Sequence, residues 1–232
     1  MISVLLADDH ALIRKGFRLV LDAESDITVA GEASDGATAV SMCSALRPDV
    51  VLMDVRMPGR DGIEATRDIV AAGLPTRVLI LTTFDLDDYV YAGLRAGASG
   101  FLLKDTQPDD LADAIRTIAA GDSVLAPGAI RALIDQFTAQ RPEAPSSRQA
   151  AQIRDVLTSR ELDVFAMIAA GMSNGEIAAT LYLSTGTVKI HVGRILAKLG
   201  LRDRVQAVVL AYESTLVLPG TTPPSSPRHP LQ

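Results

Sequence analysis

The stretch that decides the fold of this 232-residue chain is Val50-Val51-Leu52-Met53-Asp54-Val55-Arg56-Met57-Pro58-Gly59-Arg60-Asp61-Gly62. Four apolar residues lead into one carboxylate, and a segment rich in turn-forming residues follows. A short apolar run bounded by turn signals is typical of a strand buried on both faces. Asp54 is therefore predicted to lie at the carboxyl end of a buried strand.

Four further apolar runs occur at Ile2–Ala7, Thr28–Ala33, Arg77–Thr82 and Gly100–Leu103. Segments with helical spacing of apolar residues lie between them, for example Ile13, Phe17, Val20 and Leu21. Strands that alternate with helices predict an α/β doubly wound fold around a five-stranded parallel sheet. In such folds the functional crevice lies at the carboxyl ends of the strands.

Charged and polar residues follow the strands at this predicted edge: Asp8, Asp9, Asp54, Thr82 and Lys104. Each residue alone has an ordinary explanation, such as a helix cap, a loop acid or a solvated lysine. Their convergence on one edge instead predicts a site that holds Mg²⁺ (or Mn²⁺) and phosphorylates a carboxylate. Asp9 and Asp54 are expected to bind the metal directly and Asp8 through water. Thr82 and Lys104 would bind phosphoryl oxygens.

The composition sets limits on the kind of protein. The net charge is −6, yet residues 1–122 carry 11 Lys and Arg against 20 Asp and Glu, while residues 123–232 carry 11 against 8. A mildly basic second half is suited to a polyanion. The single cysteine, Cys43, excludes an internal disulfide and is predicted to be a packing residue. No apolar stretch approaches the length of a membrane span, so the chain is expected to be cytoplasmic without membrane partners.

The sequence predicts four segments. Residues 1–121 form the α/β domain, and residues 122–152 form a partly helical linker, with a candidate helix at Ala129–Phe137. Residues 153–216 form a small all-α domain, which carries the capping-box patterns Thr158-Ser159-Arg160-Glu161 and Ser173-Asn174-Gly175-Glu176. Residues 217–232 are rich in Pro, Ser and Thr and are predicted to be disordered.

A helix is predicted from Ser184 to Leu199, because Val188, Val192, Ile195 and Leu199 form one apolar stripe. Ile190 points away from that stripe and is flanked by cations, as expected of a recognition helix that follows a short capped helix. The predicted DNA-contacting residues are Thr187, Lys189, Ile190, Gly193, Arg194 and Lys198. Lys189 could bind guanine and Ile190 a thymine methyl, whereas Arg194 and Lys198 would neutralise phosphates. An amphipathic helix with a solvated basic face is the alternative.

Residues 1 to about 120 resemble a response-regulator receiver domain, which has a flavodoxin-like fold. The matching pieces are Ala7-Asp8-Asp9-His10, Val51-Leu52-Met53-Asp54-Val55-Arg56-Met57-Pro58 with Asp61-Gly62, Leu81-Thr82-Thr83 and Phe101-Leu102-Leu103-Lys104. The resemblance implies that Asp54 accepts phosphate from a sensor histidine kinase and that Asp8 and Asp9 bind Mg²⁺. It also implies that Thr82 and Phe101 are a switch pair, in which Thr82 moves toward the phosphoryl group and Phe101 rotates inward.

Residues 154 to about 214 resemble the LuxR-type helix-turn-helix module of the NarL/FixJ family. The resemblance rests on Leu157-Thr158-Ser159-Arg160-Glu161, Gly171-Met172-Ser173-Asn174-Gly175-Glu176-Ile177-Ala178, Thr187-Val188-Lys189-Ile190-His191-Val192, Leu199-Gly200-Leu201 and Arg204-Val205-Gln206-Ala207. It implies base-facing positions at Lys189 and Ile190, whereas Gly193 departs from members that carry lysine there. It also implies a dimer face at Val205, Val208, Val209 and Tyr212, for which packing within the domain is the alternative.

Together the two resemblances predict a two-component response regulator that is not an enzyme and that binds double-stranded promoter DNA as a homodimer when phosphorylated. One competing hypothesis is a phosphatase with an aspartyl-phosphate intermediate, but such sites need an acid where this chain has Arg56. The other is a phosphorylation-independent DNA-binding regulator with a structural receiver domain.

Overall fold

The computed structural model describes residues 1–82, 87–122, 124–125, 147–214 and 216. The chain divides into two compact units, Met1–Leu133 and Ile134–Gln232. The candidate helix predicted at residues 129–137 and the tail predicted to be disordered at residues 217–232 lie outside the described residues.

The first unit alternates strands and helices throughout. Its elements are β1 (Ile2–Ala7), α1 (Ala11–Asp22), β2 (Ile27–Ala33), α2 (Gly36–Leu46), β3 (Val50–Asp54), α3 (Gly62–Ala71), β4 (Arg77–Thr82), α4 (Asp87–Ala96), β5 (Gly100–Leu103), α5 (Pro108–Ala119) and β6 (Val124–Leu125). All strands are parallel, in the order β2-β1-β3-β4-β5-β6. The predicted doubly wound α/β fold is confirmed, and the strand order reverses between β1 and β3.

Among the described residues the sheet has six strands, whereas the sequence predicts five. The sixth, β6, has only two residues and pairs Val124 with Gly100 and Leu125 with Phe101. It falls within residues 122–152, for which the sequence predicts a linker. A run of two apolar residues is too short to show the period of a strand.

The strand register brings the functional edge together. Ala7 lies beside Met53, Asp54 beside Leu81, and Thr82 beside Leu103. All five residues of β3 are buried, as the apolar run predicts. Leu6, Leu52 and Leu81 belong to one core cluster, and burying such a side chain contributes about 1.5–3 kcal/mol each. The core therefore fixes where each strand ends.

The start of α3 packs tightly against the end of β3. A Cβ atom at Gly62 would lie 1.9 Å from the carbonyl oxygen of Asp54, which explains why this position carries glycine. The Gly62 N–H donates to the carbonyl of Val55 at 2.9 Å. Asp61 caps the helix by accepting from the N–H of Glu64. These contacts anchor the backbone directly after Asp54.

The described part of the second unit is helical. Its elements are α6 (Ser147–Val156), α7 (Ser159–Ala169), α8 (Asn174–Leu181), α9 (Thr185–Leu199) and α10 (Arg204–Glu213). Both predicted capping boxes are present, Thr158 with Glu161 at α7 and Ser173 with Glu176 at α8. Helix α7 packs against α9 and α10, and α8 packs against α9. Within the described residues of the whole chain, no helix is long and apolar enough to cross a membrane.

Candidate functional site

The residues predicted at the sheet edge lie together around Lys104. Its Nζ atom is 2.6 Å from Oδ2 of Asp8 and 3.0 Å from Oδ1 of Asp54. All three side chains are less than one-tenth exposed. The backbone N–H of Lys104 also donates to the carbonyl of Thr82 at 2.7 Å, which fixes the start of the loop after β5. One ammonium group thus links two buried carboxylates that come from different strands.

The surroundings of Asp54 disfavour the ionised form of its carboxyl group. Burial raises the pKa of Asp54 above its ordinary value, and the nearby charge of Asp8 raises it further, while Lys104 acts in the opposite direction. A carboxylate that is poorly solvated and only partly neutralised is a better nucleophile than one in water.

The acidic residues could hold a divalent cation. Asp8, Asp9, His10 and Asp54 each offer a ligand atom, and these atoms lie within 4.8 Å of one another. Three carboxylates form the oxygen-rich donor set that Mg²⁺ and Mn²⁺ prefer. Asp9 is the most accessible of the three, with a side chain one-third exposed. The residues present therefore fit such an ion.

An open cavity of about 440 Å³ adjoins this cluster. Asp9 and Asp61 line it together with Arg56, Met57 and Tyr89, among others. The Arg56 guanidinium lies over the ring of Tyr89, 5.8 Å from its centre. The cavity therefore opens the Asp9 side of the acidic cluster to solvent.

The two residues assigned as a switch pair lie on neighbouring strands. Thr82 ends β4 and is buried beside the acidic cluster. Phe101 on β5 is also buried, and a Cβ atom at Gly93 of α4 would lie 3.9 Å from its ring. The ring is therefore covered in this structure, and its rotation as one half of a switch pair stays a prediction.

Sequence reasoning missed two contacts of the acidic cluster. His10 donates its backbone N–H to Asp8 Oδ1 at 2.8 Å, and its Nδ1 lies 2.6 Å from Asp9 Oδ1. Arg14 donates to the carbonyl of Asp8 at 2.6 Å and also contacts Glu32 on β2. The position of His10 directly after Asp8-Asp9 could have indicated the first contact. The second depends on the start of α1 turning back over β1.

In the second unit, α9 has the two faces that the sequence predicts. Val188, Val192 and Ile195 are buried, whereas Leu199 is partly buried. Lys189, Ile190, Gly193 and Arg194 are exposed, Ile190 by 57%, and Thr187 is half-buried. Ser184 caps the helix by accepting from the N–H of Thr187, and Gly200 ends it in the left-handed conformation. An exposed isoleucine among cations suits contact with a DNA base edge.

Lys198 forms an ion pair within the protein instead of extending into solvent with the other cations of α9. Its Nζ atom lies 2.7 Å from Oε2 of Glu161, the buried acid of the α7 capping box. This pair and the capping hydrogen bonds from Thr158 lower the pKa of Glu161 to about 2. The structure thus gives Lys198 a role in holding α9 to α7, which competes with the predicted contact to phosphate.

The residues predicted to form a dimer face point into the protein. Val205, Val208, Val209 and Tyr212 are all at most 5% exposed. Burial raises the pKa of the Tyr212 hydroxyl. Their burial corresponds to the alternative that the sequence leaves open for each of them, packing within the domain. A dimer through these four side chains stays a prediction, and in this conformation they offer almost no surface to a second copy.

Two family models match the chain in the order in which the two units occur. The response regulator receiver domain matches residues 4–116, and the luxR family of bacterial regulatory proteins matches residues 155–211. Each match covers the site whose geometry is described above, the acidic cluster in one and the exposed face of α9 in the other.

Several known proteins are similar over nearly the whole chain. The transcriptional regulatory protein YxjL of Bacillus subtilis is 45% identical over 93% of this chain and 97% of its own. LiaR of the same organism is 41% identical, covering 94% and 100%, and VraR of Staphylococcus aureus is 38% identical, covering 93% and 99%. Among solved structures, the response regulator ChrA of a heme-sensing two-component system has a TM-score of 0.51 at 39% identity, covering 93% of this chain and 98% of that one.

Proposed function

Since this chain belongs to the response regulators that join a receiver domain to a LuxR-type DNA-binding domain, we propose that phosphorylation of Asp54 by a sensor histidine kinase controls its binding to promoter DNA. The single observation that carries this proposal is the pair of contacts from Lys104 Nζ to Asp8 and Asp54. The ammonium of Lys104, buried between the two carboxylates, is positioned to pair with a phosphoryl group attached to Asp54.

The proposed reaction is the transfer of one phosphoryl group from a phosphohistidine. An Oδ atom of Asp54 attacks the phosphorus, a P–O bond forms, the P–N bond breaks, and the imidazole of the donor leaves and takes up a proton. Lys104 pairs with a phosphoryl oxygen, and the hydroxyl of Thr82 donates to another. Beyond this transfer to its own Asp54, the chain is not an enzyme.

Asp8, Asp9 and Asp54 would hold Mg²⁺, or Mn²⁺, and the bound ion would supply positive charge to offset the repulsion between carboxylate and phosphoryl oxygens. The chain's own residues orient this cluster. His10 and Arg14 hold Asp8 from the side of α1, and Lys104 holds it from the loop after β5. These contacts fix Asp8, and Lys104 also contacts Asp54, which limits the reorganisation that the nucleophile needs before attack.

The proposed output is double-stranded DNA. Helix α9 would enter the major groove, with Lys189 and Ile190 reaching base edges and Arg194 contacting phosphate. Because few cations are exposed on this face, we expect tight binding to require a homodimer on two half-sites. A regulator that receives phosphate from a sensor kinase and binds promoter DNA would act in the cytoplasm.

Phosphorylation can be tested by incubating the chain with acetyl phosphate and Mg²⁺ and measuring intact mass. We expect the gain of one phosphoryl group, and no gain in Asp54→Asn. Asp109→Asn, which removes an exposed acid in the first turn of α5, is the matched control and should label like the wild type. Labelling that persists in Asp54→Asn would contradict the assignment of the phosphoacceptor.

A second experiment separates the proposal from its alternative. The affinity for a duplex selected from genomic fragments is compared for the phosphorylated and unphosphorylated chain, and sedimentation gives the oligomeric state of each. We expect phosphorylation to raise both affinity and the dimer fraction. Equal affinities would favour a DNA-binding regulator whose receiver domain is structural.

A further inference from the structure

Tyr182 has a backbone conformation that is unusual for its residue type. It is the first residue after α8 and has φ 56° and ψ 45°, in the left-handed region. Arg47 is the other non-glycine residue with positive φ among the described residues. Glycine or asparagine occupies this conformation at a lower free-energy cost than tyrosine. The backbone of this turn therefore does not explain the choice of tyrosine.

The side chain of Tyr182 does not contribute to the fold either. It is 90% exposed, and within the described residues its hydroxyl forms no hydrogen bond. Other groups hold the turn: the backbone N–H of Leu183 donates to the carbonyl of Ala178 at 2.9 Å, and the guanidinium of Arg160 donates to the carbonyl of Leu181 at 2.9 Å. A fixed turn thus presents an aromatic ring and a hydroxyl to solvent.

The sequence around Tyr182 indicates the charge of its partner. Residues 177–202 contain no Asp or Glu and four Lys or Arg. Of these cations, Lys189 and Arg194 are exposed, whereas Lys198 is paired with Glu161. Two neighbouring hydroxyls at the start of α9 are engaged with each other, because Ser184 Oγ and Thr187 Oγ1 lie 2.8 Å apart. The uncommitted Tyr182 hydroxyl therefore lies in a stretch of sequence whose exposed charge is positive, which favours a polyanion.

The position of Tyr182 relative to α9 points to the DNA backbone. A helix rises 1.5 Å per residue, so the side chains from Thr185 to Ile190 span roughly 7–8 Å along α9. The major groove is about 12 Å wide, with phosphates along both rims. A residue just beyond the amino end of a helix seated in that groove reaches a rim. Tyrosine hydroxyls are common donors to phosphate oxygens in such complexes.

We propose that Tyr182 binds the DNA backbone at the rim of the groove that α9 enters, with its hydroxyl donating to a phosphate oxygen and its ring lying against the adjacent deoxyribose. This inference rests on the proposed DNA-binding function and adds to it a contact from the turn between α8 and α9. Such a contact positions α9 and is independent of base sequence.

The experiment measures dissociation constants and thermal unfolding of the phosphorylated full-length chain, with a duplex selected from random sequence by the wild type as the probe. Tyr182→Phe removes the hydroxyl alone, and Tyr182→Asn removes the ring while suiting the left-handed turn. We expect binding to weaken by about 10-fold in Tyr182→Phe, as for the loss of a hydrogen bond to a charged group, and by more in Tyr182→Asn. The unfolding temperature should not fall in either variant.

Two further variants identify the kind of contact. Arg194→Ala, which removes a proposed phosphate contact, should reduce the slope of log affinity against log salt by about 1, whereas both Tyr182 variants should leave that slope unchanged, because a neutral hydroxyl releases no counterion. Val156→Ala, which trims another exposed apolar side chain of the same unit, should bind like the wild type.

The outcomes separate this inference from the function on which it rests. If Arg194→Ala weakens binding but both Tyr182 variants bind like the wild type, Tyr182 does not contact DNA and the inference is overturned alone. The Tyr182 variants could also bind DNA normally but fail to regulate a promoter. That result would assign Tyr182 to a protein partner and would also overturn the inference. Absence of binding by the wild type would overturn both.

Discussion

Lys198 and Glu161 form an ion pair that links the last turn of α9 to the first turn of α7, with Nζ and Oε2 2.7 Å apart. Glu161 also closes the capping box of α7, so one carboxylate serves both the start of α7 and the last turn of α9. The pair turns a lysine of the exposed face of α9 into a structural residue. Its energetic role can be separated from DNA binding.

Lys198→Ala is expected to lower the free energy of unfolding of the second unit by about 1–2 kcal/mol. The loss leaves the largely buried Glu161 without its cation, although the partial exposure of Lys198 and screening by solvent limit the effect. The salt slope of DNA binding should change little, whereas Arg194→Ala should reduce it by about 1. A slope that falls equally in both variants would restore Lys198 as a phosphate contact.

The stability of the second unit should depend on the ionisation of Glu161. Its pKa is lowered from 4.5 to about 2, so the folded state binds the proton less tightly than the unfolded state. The stabilisation is therefore fully present above pH 4.5 and is lost as the pH falls toward 2. Chemical unfolding between pH 6 and pH 3 measures it. Glu161→Gln should flatten this dependence; an unchanged dependence would contradict the role given to the pair.

Asp54→Asn is expected to raise the free energy of unfolding of the first unit at pH 7 without Mg²⁺, by about 1 kcal/mol. Because burial raises the pKa of Asp54, ionisation destabilises the folded state at pH values above that pKa. The amide keeps the size of the side chain and removes the charge. Thermal unfolding measures the change, and a lower unfolding temperature would show that the contact with Lys104 outweighs the burial of the charge.

Mg²⁺ should stabilise the first unit in a concentration-dependent way. Above the dissociation constant, each tenfold rise in Mg²⁺ should add about 1.4 kcal/mol to the free energy of unfolding, because the ion binds only the folded cluster. Chelation should reverse the effect, and Asp9→Asn should remove it, while Asp109→Asn should retain it. Equal stabilisation of Asp9→Asn would place the ion elsewhere.

The sequence predicts most of this architecture because local signals and burial agree. The run ending at Asp54 has the pattern of a buried strand, and the structure buries all five residues of β3. The convergence of Asp8, Asp54 and Lys104 also follows from the sequence, since parallel strands place their carboxyl ends at one edge.

What escapes prediction depends on partners that are distant in sequence. A helical pattern identifies Lys198 as outward-facing, but it does not reveal that Glu161 lies across from it on another helix. The pattern at Val205 and Val208 likewise predicts a buried face without saying what covers it. Strand β6 is defined by its pairing with Gly100 rather than by its own two residues.

Two glycines differ in what the fold requires of them. A Cβ atom at Gly193, inside α9, would have no atom within 4 Å, so Gly193→Ala should stabilise the second unit by about 0.5–1 kcal/mol. Gly62→Ala should destabilise the first unit by about 1–3 kcal/mol, since its Cβ would lie 1.9 Å from the Asp54 carbonyl oxygen. Thermal unfolding measures both changes, and equal effects would contradict the difference in packing.

The open space at Gly193 also allows a test of how closely α9 approaches DNA. Gly193→Lys should tighten DNA binding and steepen its salt dependence by about one phosphate charge, because it adds a cation to the exposed face. Gly193→Ala is the control that adds a side chain without charge. If Gly193→Lys instead weakens binding to the selected duplex at every salt concentration, the backbone at Gly193 lies too close to the DNA to admit a side chain, and the glycine serves close approach of α9 to the groove.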